Sequence, residues 1–321
     1  MFRKYESNFK EFIIGLIQEK RATGYEYGTQ QYVLERFDRF CITRHADETE
    51  LTAIIAMDWA TMLPTENAGG FMSRVAPVRE LARYMLRQGY SAFVIPSGIA
   101  SKPPRKVPHI FTDSEISFLF DITDNLKKPK RMHSIRHLMI PIMFRLLYTC
   151  GLRPMEPLRI KISDVDFETG RIFIAESKEH RDRNIVLSHE MLSLLRKYYD
   201  KTRYFYPGTQ YLFPNHRGQQ YSAIWFEKVF QICWGRSQNA VLNRARPRLY
   251  DFRHTFATKC FYKWSLEGKD LNAWLPYLSA YMGHVQYTDT AYYIHLVPSF
   301  TPGKNKLSSD KFKAILPEVL R

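Results

Sequence analysis

The stretch RLYDFRHTFAT, residues 248–258, combines an apolar helical stripe with two arginines. Leu249, Phe252 and Phe256 recur at spacings of three and four, which predicts a helix that packs this face into a core. Arg253 lies beside that face, so its guanidinium is drawn towards the core, where a charge needs a partner. The pattern leaves open whether the partner is a structural carboxylate or a bound phosphate.

The composition of the whole chain favours an anionic ligand. Its 321 residues contain 47 Lys and Arg against 32 Asp and Glu, which gives a formal net charge of +15. Such an excess is typical of proteins that bind a polyanion, with nucleic acid ahead of a membrane surface. The length and the 45% of hydrophobic residues favour two domains, each with its own core.

The sequence shows no sign of export. Residues 1–10 are charged, and no apolar run reaches the roughly eighteen residues of a membrane span. We therefore expect a cytoplasmic protein with no membrane partner. The cysteines are scattered without metal-ligand spacing, which predicts packed, reduced thiols and no metal site: Cys41, Cys150, Cys233 and Cys260.

Residues 1–98 have helical periodicity in four segments, 9–17, 30–41, 50–63 and 71–90. This predicts a small helical domain. Arg79 and Arg83 lie four apart beside the apolar stripe of the last segment. A basic face at this position can bind DNA, or it can simply be solvated.

The stretch PSGIASKPPRKVP, residues 96–108, is rich in proline and in basic residues and has little to bury. We interpret residues 99–109 as an extended basic linker. Such a segment can follow a phosphate backbone. The residues expected to contact DNA in this way are Lys102, Arg105 and Lys106.

Residues 110–321 form a second, larger domain in this interpretation. Thr112 and Glu115 predict a capping box at its first helix, and residues 134–151 predict an apolar helix that ends at a glycine. In residues 164–188 apolar and polar residues alternate around turns, which predicts a small antiparallel sheet of about three strands. The expected fold class is therefore mainly α-helical with a small antiparallel β-sheet.

Three stretches in this order resemble the signature boxes of the tyrosine recombinase (phage integrase) family. They are TCGLRPMEPLRIKISDVDF (149–167), RLYDFRHTFAT (248–258) and YMGHVQYTDTAYYIH (281–295). One box alone is a weak signal, but three in order with a charged turn between the first two are specific. The resemblance covers about residues 110–297, and the helical region before it is similar in kind to the core DNA-binding domain of the family. It implies a site-specific recombinase or integrase that breaks and rejoins DNA strands through a 3′-phosphotyrosyl intermediate.

The chemistry explains why these residue types occur together. Cutting a phosphodiester by transesterification needs a nucleophile, a cationic clamp for the phosphate oxygens and an acid for the departing 5′-oxygen. An arginine fork binds two phosphate oxygens and keeps its charge. The resemblance implies that Arg153 and Arg253 are this clamp, that Lys178 on a turn of the sheet is the acid, and that His284 also binds the phosphate. It places the nucleophilic tyrosine nine residues after the histidine, at Tyr293.

Two positions depart from the family pattern. Tyr250 stands where most relatives have histidine or lysine, and a phenol can hydrogen-bond a phosphate oxygen or the attacking tyrosine but is a poor base at neutral pH. Water or His284 is then expected to help as a base. Pro157 is compatible only with the first turn of a helix. Tyr292 is a rival to Tyr293 as nucleophile, and spacing alone separates them.

The resemblance also implies partners. Four protomers are expected to act as a tetramer on two double-stranded DNA sites of a mobile element or chromosome, with room for accessory proteins and with no metal or cofactor. An amphipathic tail helix is predicted at about residues 308–320, exchanged between neighbours or packed on its own domain. A type IB topoisomerase, which relaxes supercoils by the same attack, and a non-catalytic DNA-binding protein remain alternatives.

Overall fold

The chain forms two compact units, Met1–Lys106 and Val107–Arg321. This division comes from a computed structural model that describes residues 5–99, 107–128, 134–175, 182–237, 246–284 and 286–296. Several predicted features lie outside the described residues: Lys102, Arg105, Lys106, Lys178 and the tail helix at 308–320.

The described part of the first unit is helical. It contains α1 (Lys10–Ala22), α2 (Gly28–Arg44), α3 (Ala53–Trp59) and α4 (Ala68–Arg87). Side-chain caps define the N-termini of α3 and α4, because the side chains of Thr52 and Asn67 accept hydrogen bonds from the backbone N–H groups of Ile55 and Gly70. The helix predicted over 50–63 is therefore shorter than expected.

Arg79 lies inside this unit and not on an exposed basic face. It is 8% exposed, and its guanidinium donates hydrogen bonds to the carbonyl oxygens of Ile95 (2.7 Å) and Pro96 (2.9 Å). Arg83, one turn further along α4, has a half-exposed side chain 3.6 Å from Glu80. The prediction that Arg79 lies on an exposed face is thus wrong, because its guanidinium binds backbone carbonyl groups of the segment that follows the helix.

The second unit is mainly α-helical. Its described helices are α5 (Asp113–Asp124), α6 (Arg136–Cys150), α7 (Glu156–Arg159), α8 (His189–Thr202), α9 (Ala223–Trp234), α10 (Asp251–Leu266), α11 (Leu271–Met282) and α12 (Tyr287–Ala291), with 3-10 helices at Ile162–Asp164 and Tyr292–Leu296.

Two local predictions for this unit are confirmed. Thr112 and Glu115 form a reciprocal capping box at α5. The helix predicted over 134–151 is α6, and Gly151 follows it with a φ of 60°, the left-handed conformation that favours glycine.

The sheet has two strands among the described residues, not about three. β1 (Arg171–Ile174) pairs antiparallel with β2 (Arg183–Val186), and Ile172 faces Ile185. Val165, expected on a third strand, makes only an isolated bridge to Ile172, because a 3-10 helix ends just before it. The fold class, mainly helical with a small antiparallel sheet, is confirmed.

α10 lies at the centre of the second unit. Leu249, Phe252 and Phe256 are buried as predicted, and thirteen of the sixteen helix residues are buried, so the helix is enclosed by its neighbours. The four cysteines are buried free thiols, and no helix within the described part of the chain is both long and apolar enough to cross a membrane.

Candidate active site

Arg253 is fully buried on the first turn of α10. Its guanidinium donates hydrogen bonds to the carbonyl oxygens of Gly151 (2.8 Å) and Met282 (2.5 Å), where α6 and α11 end. These helix ends carry partial negative charge, which partly compensates the buried charge of Arg253. Burial, with the nearby charge of Arg153, lowers the pKa of Arg253 to about 10, so it remains a cation at neutral pH.

Arg153 lies in the turn between α6 and α7. Its side chain donates hydrogen bonds to the carboxylate of Glu156 (3.0 Å) and to the carbonyl oxygen of Gly283 (2.6 Å). The short helix α7 starts three residues later, and Pro157 lies within its first turn as its geometry requires. The two predicted arginines therefore bind consecutive carbonyl groups at the end of α11.

Glu156 and Arg183 complete a cluster of charged side chains with Arg153 and Arg253, and neither role was predicted from the sequence. Arg183, on β2, donates to both carboxylate oxygens of Glu156 at 2.8 Å and to the carbonyl oxygen of Tyr281 at 2.8 Å. Burial raises the pKa of Glu156, but the hydrogen bonds and charge of Arg183 outweigh it, so this pKa lies below its usual value. The spacing of Arg153 and Glu156 was the available signal for the glutamate, whereas nothing local distinguishes Arg183 in a charged stretch.

His284 follows Gly283 at the end of α11. Its Nδ1 lies 2.6 Å from the hydroxyl oxygen of Thr290 on α12. Burial, together with the charges of Arg253 and Arg153, lowers the pKa of His284 to about 3. The imidazole is therefore neutral at pH 7 and keeps one N–H for donation.

Tyr293 is 3% exposed on the 3-10 helix after α12. The centre of its ring lies 6.2 Å from that of His284 and 5.4 Å from that of His254. Burial raises the pKa of the Tyr293 phenol above its usual value. Tyr292 is only half-buried, and its ring packs edge-on against Tyr293 at 5.9 Å. The two adjacent tyrosines therefore differ in environment, and the buried one faces the histidines.

Tyr250 immediately precedes α10 and is 36% exposed, unlike its buried neighbours Leu249 and Phe252. Its ring lies 5.0 Å from that of His254. The sixth predicted catalytic residue, Lys178, lies outside the described residues. The structure brings the other five together: Arg153, Tyr250, Arg253, His284 and Tyr293.

Among the described residues, the charges in this cluster do not balance. Three guanidiniums, those of Arg153, Arg183 and Arg253, lie close enough to affect one another and His284 electrostatically. Glu156 is the carboxylate bonded to two of them. An excess of positive charge beside a buried phenol can bind an anion such as a phosphodiester and favour attack on it.

Comparison with known proteins finds one family and several relatives. Residues 110–299 match the model of the phage integrase family. A protein of Sinorhizobium fredii named as an integrase/recombinase, y4rB, is 26% identical over 296 residues, which cover 90% of this chain and 93% of that one. The tyrosine recombinase XerC of Anoxybacillus flavithermus is 27% identical over 235 residues, 70% of each chain.

Solved structures share the fold. The XerH site-specific recombinase in a post-cleavage complex with difH substrate superposes with a TM-score of 0.63 at 18% identity, over 84% of this chain and 76% of that one. The Tn1549 transposon integrase in complex with a circular intermediate DNA has a TM-score of 0.63 at 14% identity, over 94% of this chain and 97% of that one.

Proposed function

The chain belongs to the phage integrase family, and from that membership we propose how its own residues carry out site-specific recombination. It is a tyrosine-type recombinase, an enzyme that breaks and rejoins DNA strands. The observation that carries the residue assignments is the burial of Tyr293 beside His284. Arg153 and Arg253 bind the two carbonyl groups that immediately precede this histidine.

In the proposed reaction, the Tyr293 oxygen attacks the phosphorus of a DNA phosphodiester. The new O–P bond forms as the bond to the 5′-oxygen breaks, which leaves a 3′-phosphotyrosyl link and a free 5′-hydroxyl. Arg153 and Arg253 bind the non-bridging oxygens as charge grows on them, and His284 donates a further hydrogen bond. Lys178 gives a proton to the 5′-oxygen. The link conserves the bond energy for religation, so no cofactor enters these steps.

Tyr250 has a supporting role in this proposal. It stands at the N-terminal end of α10, exposed to solvent on one side and in ring contact with His254 on the other. Its hydroxyl is suited to donate a hydrogen bond to a phosphate oxygen, in place of the usual histidine or lysine.

We further propose that the enzyme works as a tetramer on two double-stranded DNA sites of a mobile element in the cytoplasm. Residues 1–98 would bind DNA together with the catalytic domain, residues 110–321, through the basic linker at 99–109. The net charge of +15 supports this binding mode. The names of the relatives, integrases and recombinases, favour recombination over relaxation of supercoils by a topoisomerase.

A nicked suicide substrate that carries a cognate site tests the nucleophile. Wild-type protein and Tyr292→Phe should both become covalently trapped, whereas Tyr293→Phe should bind the same DNA with unchanged affinity and form no adduct, because attack has no other route. Peptide mapping that finds the adduct on Tyr292 would overturn the assignment. No adduct with wild-type protein on any cognate site would contradict the proposed reaction itself.

A further inference from the structure

We propose that His254 is the residue that accepts the proton of Tyr293 as it attacks, an inference that rests on the proposed function. In the sequence His254 is only the residue after the second arginine of the signature box. The histidine or lysine that most relatives have at the position of Tyr250 is absent here. The structure places His254 beside Tyr250, Tyr293 and Asp251.

The His254 side chain is 14% exposed on α10 and lies between two phenols. Its ring centre is 5.0 Å from that of Tyr250 and 5.4 Å from that of Tyr293, with 53° between the latter ring planes. In this proposal the hydrogen bond between a His254 nitrogen and the Tyr293 oxygen forms when substrate binds, since catalytic contacts commonly tighten only at that stage.

A buried carboxylate stands behind the imidazole. The Nε2 atom of His254 lies 4.0 Å from an Oδ1 of Asp251, which is 1% exposed. Asp251 accepts hydrogen bonds from the backbone N–H of Arg248 at 2.8 Å and from the Arg248 guanidinium at 3.2 Å, the latter on the oxygen that faces His254. A nucleophile, an imidazole and a carboxylate in this order form the arrangement by which enzymes activate a hydroxyl, since the negative charge favours the imidazolium that forms.

The other candidate acceptors are weaker. Tyr250 is a phenol and a poor base at neutral pH. His284 has its Nδ1 beside the Thr290 hydroxyl, and burial and two arginines lower its pKa to about 3. His254 has the carboxylate of Asp251 beside it instead, 4.0 Å from its Nε2.

Within the part of the chain that the structure describes, ionisable groups around His254 come from three segments. Tyr250, Asp251 and the adjacent Arg253 belong to α10 or its start, and Tyr293 belongs to the 3-10 helix. His284, after α11, is coupled to His254 electrostatically. Asp251 carries the negative charge nearest the imidazole, whereas Arg248, which is ion-paired with Asp251, and Arg253 are positive.

The proton balance is complete with this assignment. As the Tyr293 oxygen bonds to phosphorus, its proton passes to His254, and the 5′-oxygen takes a proton from Lys178 as its bond to phosphorus breaks. On religation the 5′-hydroxyl attacks phosphorus and returns its proton to Lys178, while the O–P bond to Tyr293 breaks and the proton held by His254 returns to the Tyr293 oxygen.

His254→Gln tests the assignment, because glutamine keeps a hydrogen-bonding amide but does not titrate. We expect adduct formation on the suicide substrate to slow about 100- to 1,000-fold, the usual contribution of a general base, with DNA affinity unchanged. The wild-type rate should fall as acid protonates the imidazole, and the variant should show no such fall. A substrate with sulfur in place of the 5′-oxygen needs no proton for its leaving group, so it should rescue Lys178→Ala and leave His254→Gln slow.

His137→Gln is the matched control, since it removes another half-buried imidazole of the same unit, in the groove between α6 and α8. It should form the adduct at the wild-type rate. His254→Asn is measured beside His254→Gln, with thermal unfolding of each, so that a loss of folding in one variant is recognised. A wild-type rate in a folded variant, or rescue by the sulfur substrate, would overturn the role of His254 while the adduct on Tyr293 still stands. Absence of the adduct in wild-type protein would instead reject the proposed function, and this inference with it.

Discussion

Arg74 in the first unit and Arg253 in the second are both buried arginines on helices, yet their surroundings differ. Arg74 donates two hydrogen bonds to Glu66, at 2.9 and 2.6 Å, and others to the carbonyl oxygens of Trp59 and Thr61. Arg253 bonds to two carbonyl oxygens, and its Nε has no hydrogen-bond partner among the described residues.

The difference separates an arginine that serves the fold from one that also serves a site. The charge of Arg74 is neutralised by Glu66 in direct contact, which stabilises the packing and leaves little field for a ligand. Around Arg253, by contrast, Glu156 is shared by two other arginines and a surplus of positive charge remains. Burial of an arginine is therefore weak as a sign of function, and uncompensated charge is a stronger one.

Replacement of each arginine by lysine should separate these roles with the largest effect. Arg253→Lys keeps one charge but loses the planar fork, so we expect adduct formation to fall about 100- to 1,000-fold. Arg74→Lys should lower the free energy of unfolding and leave the rate of the folded protein unchanged. The measurements are single-turnover cleavage of the suicide substrate and urea unfolding of both variants.

Equal losses of cleavage rate in the two folded variants would break the comparison. It would mean that the pairing of Arg74 with Glu66 also determines chemistry in the other unit.

Glu156→Gln probes the one carboxylate of the cluster. The variant leaves buried guanidiniums without a counter-charge, so we expect a loss of about 3–5 kcal/mol in the free energy of unfolding at pH 7. The pKa of Glu156 is lower in the folded protein than in the unfolded chain. Its contribution is therefore fully present above the unfolded value and is lost as pH falls through the folded value. The stability gap between wild type and variant should narrow on acidification.

Glu66→Gln is the matched variant in the first unit, where the hydrogen bond from Arg74 lowers the pKa of Glu66. It should show the same narrowing in acid but no change in cleavage. A gap for Glu156→Gln that stays constant from pH 7 into the acid range would contradict the assignment of a charged carboxylate to the cluster.

The smallest expected effects compare two arginines of α4. Arg83→Gln should reduce the log–log dependence of DNA affinity on salt by about one unit of slope, if this exposed arginine contacts one phosphate, with unfolding unchanged. Arg79→Gln should instead cost about 1–3 kcal/mol of stability, because two buried carbonyl groups lose their donor. Salt titrations by fluorescence anisotropy measure the first effect. A reduced slope for Arg79→Gln alone would reverse the two roles.

Local signals in the sequence were sufficient for much of this structure. The capping box at Thr112 and Glu115 and the glycine after α6 depend on neighbours within a few residues, and both were predicted correctly. The family boxes predicted the clustering of Arg153, Arg253, His284 and Tyr293, because their order along the chain carries the resemblance.

Long-range partners were beyond the sequence. The pairing of Arg183 with Glu156 joins residues 27 apart, and the hydrogen bonds of Arg79 reach backbone atoms 16 and 17 residues away. A carbonyl oxygen is present at every position, so no residue pattern marks it as a partner. The prediction of a third strand was wrong for a related reason. The alternation around Val165 predicts a strand, but the 3-10 helix before it limits the pairing of Val165 to a single bridge.

The carbonyl partners of Arg253 also limit how this site can change over evolutionary time. Arg74 and Glu66 pair through their side chains, so a mutation of either residue leaves the other charge unpaired until a second, compensating mutation appears. The acceptors at Gly151 and Met282 are main-chain atoms that no substitution removes. Arg253 is therefore bound by partners that cannot covary with it. A search for correlated substitutions among homologous sequences should detect Arg74 with Glu66 and should not detect Arg253.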